Sequence, residues 1–120
     1  MSRSEQAIKE LIALGRKPTN FPEHLRNSDN RVYGCTASLW IAYEGDRFYV
    51  DSDSVIARGI ARAAVIEIRI KEKVIKEEDF EYRDYLSISR RSGLSKVIGR
   101  VNELYESNKG RAGSTSSLDP

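Results

Sequence analysis

The chain has 120 residues, 39% of them hydrophobic and 32% charged, and its 20 basic and 18 acidic side chains leave a net charge of only +2. The length suits one domain of about 100–150 residues, and the balance of signs excludes the concentrated positive field that nucleic-acid binding needs. A single cysteine excludes an intramolecular disulfide framework and a zinc or cluster site built from several cysteines of one chain, and with no signal-peptide pattern or apolar run near the roughly 20 residues of a membrane span, the expected location is a reducing cytoplasm without a membrane partner.

Residues 4–14 predict a short helix. Ser4 is placed as N-cap, Glu5 suits the first turn, and Ala7, Ile8, Leu11, Ile12 and Leu14 share a face, with Gly15 ending it. Residues 16–31 read as a polar loop rich in Pro, Asn, Asp and Ser, with His24 a solvated member of it. Two strands follow, 39–43 and 47–50, joined through Glu44, Gly45 and Asp46 as a hairpin. A third strand starting at Arg31-Val32-Tyr33 would leave Gly34-Cys35 in a bend. Asp51-Ser52-Asp53 offers N-cap acceptors for a helix that begins near Val55, with Gly59 inside it wherever another backbone comes close. The alternating run 65–70 resembles a strand, yet no turn residue separates it from Ala61–Ala64, so it extends the helix. Residues 71–79 are a charged connection with room for a short helix, Phe80, Tyr82, Tyr85 and Leu86 are anchors, and Ser87 or Ser89 caps a last helix over 90–107. Its inner face would carry Leu94, Val97, Ile98, Val101, Leu104 and Tyr105. Residues 108–120, rich in Gly, Ser and Thr, read as a disordered tail behind a domain spanning 1–107.

Three separated motifs then coincide. Gly34-Cys35 with Trp40 five residues on, Asp51-Ser52-Asp53 followed by Ile56 and Arg58-Gly59, and Leu86-Ser87-Ile88-Ser89-Arg90-Arg91-Ser92-Gly93-Leu94 together resemble the SufE-type sulfur acceptors, including the related CsdE proteins, over about residues 8–105. The resemblance implies an α+β fold shared with IscU-type scaffolds, a small antiparallel sheet of about three strands covered by helices. It implies an acceptor of persulfide sulfur from a cysteine desulfurase of SufS or CsdA type. Such a protein stimulates the desulfurase and hands sulfur to an iron–sulfur scaffold of SufBCD type. It would hold no cofactor itself, the pyridoxal phosphate belonging to the desulfurase, and would be a monomer alone without independent turnover. Two departures stand out: the segment preceding the cysteine loop is short, and so is that between Val74 and Leu86, where Glu78 or Glu81 is the candidate for the family's acidic position.

The chemistry asked of these residues is thiol–disulfide exchange, a thiolate attacking the terminal sulfur of a persulfide. Cys35 is the expected nucleophile and carrier, and one thiol suffices for a one-sulfur relay. Gly34 would give the loop its conformation, while Asp53, Arg90 and Arg91 would support the loop or touch the partner. By resemblance Arg90 would favour the thiolate and Asp53 would hold the loop or regulate its release, against the plainer readings of a first-turn helix residue and a helix cap. Trp40 is expected in the core. Two other readings stay open: a non-catalytic interaction module of the same shape, and a redox-sensing thiol.

Overall fold

A computed structural model describes residues 2–34 and 37–118, with side chains through Lys109. Its order is α1 (Arg3–Arg16), β1 (Leu39–Glu44), β2 (Arg47–Ser52), α2 (Val55–Lys71) and α3 (Ile88–Leu118). Single 3₁₀ turns at Glu23–Leu25, Ser28–Asn30, Glu77–Asp79 and Arg83–Tyr85 punctuate the connections. The α+β class follows, but the sheet has two strands rather than about three. β1 and β2 pair antiparallel from Leu39↔Ser52 to Glu44↔Arg47, and the segment before them touches the sheet only through the bridge Arg31↔Trp40. Gly45 and Asp46 both take positive φ, as the tight primed turns of hairpins require. Among the described residues no helix is long and apolar enough to cross a membrane. The tail expected over 108–120 falls largely outside the described side chains, and Asp119 and Pro120 lie outside the described residues altogether.

The helix boundaries differ from expectation for local reasons. Ser2, not Ser4, caps α1, its hydroxyl accepting the Glu5 N–H. Gly15 lies inside α1 rather than after it, because its bare Cα meets the start of α2. A Cβ on Gly15 would stand 1.9 Å from the Val55 carbonyl oxygen, and one on Gly59 would stand 2.0 Å from that of Leu11. The two glycines make a seam in which the helix backbones touch. Ser54 is the N-cap of α2, accepting the Ala57 N–H, so Asp51 and Ser52 are left to the end of β2.

The hairpin separates two apolar clusters, as its period of two demands. Leu39, Ile41 and Val50 face the main core with Leu11, Ile68, Leu94 and Val101. Ala42 faces a smaller cluster with Phe21 and Leu25, against which Trp40 and Tyr49 pack. The polar loop therefore roofs the second face of the sheet. Trp40 is half-buried there rather than in the main core, with the Arg26 and Arg31 guanidinium carbons 4.9 and 5.0 Å from its ring. Between α2 and α3, Ile75, Phe80, Tyr82 and Leu86 are buried. The Asn102 amide meets both backbone groups of Ile75 (3.0 and 2.8 Å), and the buried Glu67 carboxylate accepts the Glu81 N–H.

Candidate functional site

The segment joining Arg31 to Leu39 is held at its two ends. On the entering side, the Val32 N–H donates to the Leu39 carbonyl at 2.8 Å. On the leaving side, Ser38 is gripped by the residues that close β2. Its N–H donates to the Asp53 carboxylate at 3.0 Å, and its carbonyl accepts the Asp53 N–H at 3.3 Å. The same carbonyl accepts the Ser52 hydroxyl, whose oxygen in turn accepts the Ser54 N–H at 3.1 Å. Arg31 closes the neck by donating to the Ser38 hydroxyl at 3.3 Å while lying over Tyr33 and Trp40. Asp51-Ser52-Asp53 thus serves as loop clip more than helix cap: Ser52 and Asp53 hold Ser38, and Asp51 pairs with Arg26 at 2.8 Å. The bonds to Asp51 and then Glu23 raise the Arg26 pKa further above its ordinary value. Cys35 and Thr36, the middle of this loop, lie outside the described residues.

Gly34, immediately before Cys35, takes φ +93°, a conformation that suits glycine. A cavity of about 270 Å³ opens between the loop and the first turns of α2 and α3. Gly34 and Ala37 flank it on the loop side, Leu39, Ile56, Ile60, Leu94 and Val97 give it an apolar floor, and Ser54, Ser89 and Arg90 contribute polar groups. Two helix N-termini converge on this space, α2 capped by Ser54 and α3 by Ser87, whose hydroxyl oxygen accepts the Arg90 N–H. Their first-turn N–H groups give this end of the cavity a positive potential that favours an anion over its neutral form. The floor meanwhile keeps much of the space apolar. That combination suits a soft, polarisable sulfur anion.

Of the residues anticipated from sequence, Gly34 and Arg90 line this cavity and Asp53 fastens the loop. Arg91 does neither: its Nε donates to the Leu86 carbonyl at 3.1 Å and so steadies the approach to α3. Glu78 and Glu81 are exposed on the connection that precedes α3, and neither lines the cavity. His24 is exposed, with its ring nitrogen 2.9 Å from Glu44. The contributions of Ser38, Ser52, Arg31 and Arg100 were not anticipated. Arg100 is the least legible, since its donors reach Ile41 O (3.2 Å) and the Asn30 side chain (2.9 Å) across 59 and 70 residues of chain. The paired serines 38 and 52 carry a faint signal, small polar residues at opposite ends of a predicted hairpin. Among the described residues no cluster of three or more His, Cys, Asp or Glu side chains is placed to hold a metal ion.

Known proteins of similar sequence share one family. Residues 1–105 match the SufE family model, the Fe-S metabolism associated domain. The chain is 30% identical over 106 residues to the cysteine desulfuration protein SufE of Wigglesworthia glossinidia brevipalpis, spanning 78% of this chain and 74% of that one. It is 28% identical over 119 residues to an uncharacterized SufE-like protein of Rhizobium meliloti (85% and 84%). A shorter match, 33% over 63 residues, links it to SufE-like protein 2, chloroplastic, of Arabidopsis thaliana (48% and 24%). With the family model covering residues 1–105, from α1 to Tyr105 on α3, this chain belongs to the SufE family.

Proposed function

We propose that the protein is a sulfur acceptor and relay: Cys35 takes persulfide sulfur from a pyridoxal-phosphate cysteine desulfurase, raises that enzyme's turnover, and passes the sulfur to an iron–sulfur assembly scaffold. The observation that carries the reading is the Gly34-Cys35 loop, fastened at Val32 and at Ser38 beside an apolar cavity with a positive rim, in a chain whose family includes a cysteine desulfuration protein. The Cys35 thiolate attacks the terminal sulfur of the donor's persulfide. A new S–S bond forms on Cys35, the donor's S–S bond breaks, and the donor cysteine leaves as thiolate. Sulfane sulfur moves with no net oxidation, so neither an external oxidant nor a second cysteine is required. This chain's part is to present the thiolate, to stabilise the persulfide anion through Arg90 and the two helix N-termini, and to shield it with the apolar floor.

Incubation with a desulfurase and free cysteine is expected to add about 32 Da, one sulfur atom transferred by thiolate exchange, to the peptide containing Cys35. Cys35→Ser is expected to abolish both the added mass and the stimulation of sulfide release. Stimulation that survives the substitution would favour a docking module of SufE shape over a relay.

A further inference from the structure

The face of α3 that meets the cysteine loop runs through Ser89, Gly93, Lys96 and Arg100, positions spaced by four, three and four residues and so aligned along one side of the helix. Each lines the cavity or contacts the loop region. Ser89 and Gly93 line the cavity opposite Gly34. Arg100 fixes both limbs farther back, through the Asn30 side chain on the entering limb and the Ile41 carbonyl on the leaving one. Lys96 lies between them against the residue next to the thiol. A Cβ placed on Gly34 would stand 3.2 Å from Lys96 Cε, 3.5 Å from Cγ and 3.6 Å from Cδ. The methylene stem therefore lies in the notch that the missing side chain leaves, while Lys96 as a residue stays exposed. Long basic side chains commonly behave so, covering apolar surface with the stem and leaving the charge in water.

We propose that Lys96 is a positioning residue for the cysteine loop: its stem, seated against Gly34, holds the entering limb on α3 at the residue that immediately precedes Cys35. Position 34 is then glycine for two reasons, the positive φ and the room for this stem. On the leaving limb the loop is clipped instead by hydrogen bonds to Asp53 and Ser52. The proposal rests on the sulfur-acceptor reading only in taking Cys35 as the group that the loop presents.

Amide hydrogen exchange of the loop tests it without any desulfurase. Lys96→Ala is expected to speed exchange of the Val32 amide, bonded to the Leu39 carbonyl on the entering limb, about fivefold, the size of losing partial burial of a few methylenes, with α2 amides unchanged. Lys96→Met, which keeps a stem and removes the charge, is expected to restore wild-type exchange. Unaltered loop exchange in Lys96→Ala, an equal rise in Lys96→Met, or equal acceleration in α2 would each overturn the proposal. The mass gain on wild-type Cys35 is read separately, so failure of sulfur transfer would count against the relay alone.

Discussion

The seam between α1 and α2 and the contact between the cysteine loop and α3 are both built around glycine, and they use it in opposite ways. At the seam, Gly15 and Gly59 let backbone meet backbone, with carbonyl oxygens where side chains would be. Nothing there gives without moving a whole helix. At the loop, Gly34 faces a flexible lysine stem, a cavity lies alongside, and polar clips hold only the ends. One region is a platform with a fixed geometry. The other is a loop whose described ends are held by single hydrogen bonds and a side-chain stem rather than by a packed seam of backbones.

The largest effect should come from filling the seam. Gly59→Ala places a methyl 2.0 Å from Leu11 O and 2.8 Å from Leu11 C, backbone atoms that retreat only if α1 shifts. Overpacking of this kind costs about 3 kcal/mol, and thermal unfolding should fall by on the order of 10 °C. A variant melting within a degree or two of wild type would mean that the helices are not in backbone contact. Asp53→Ala should do the reverse, leaving the platform intact and loosening the loop. It deletes a charged acceptor for the Ser38 N–H at an exposed position, worth about 1 kcal/mol. Sulfur loading of Cys35 should change several-fold while the melting temperature moves by only a few degrees. A large loss of stability with unchanged loading would assign Asp53 to the platform.

How much of this division was legible in the sequence depends on the range of each interaction. The helices α1 and α2, the hairpin turn at Gly45-Asp46 and the inner face Leu94, Val97, Ile98 and Val101 follow from local periodicity. Gly59 as a site of close approach was readable too, because a glycine inside a helix costs stability that packing must offset. Gly15 was misread as a terminator, since a glycine near a helix end has the same local signature whether it caps or packs. Asp51-Ser52-Asp53 was read as capping for a like reason. Short acceptor side chains bind any nearby free N–H, and whether that N–H belongs to the following helix or to Ser38 is a tertiary fact. The third strand reduces to a single bridge because the segment after Arg31 turns away at Gly34 after one pairing. Arg100 with Asn30, and Lys96 with Gly34, had no local signal at all.

The smallest effect concerns a polar tie within the platform. Tyr82 is buried and donates its hydroxyl to Glu10 of α1 at 2.9 Å. Burial, and then the bond to Glu10, push its pKa from 10.0 up to about 12. A tyrosine whose folded pKa is raised stabilises the fold fully while both states are protonated, and that contribution drains away as pH climbs from the unfolded value to the folded one. The wild type should therefore lose stability between about pH 10 and 12, and Tyr82→Phe should lose less over that range. Tyr43, also raised by burial and by its bond to Asp46, contributes equally to both curves and cancels in the difference. The stability gap between wild type and Tyr82→Phe should favour the wild type at neutral pH and should shrink as the pH climbs from 10.0 toward about 12. A gap that stays constant across that range would mean the phenol ionises as freely in the fold as in the unfolded chain.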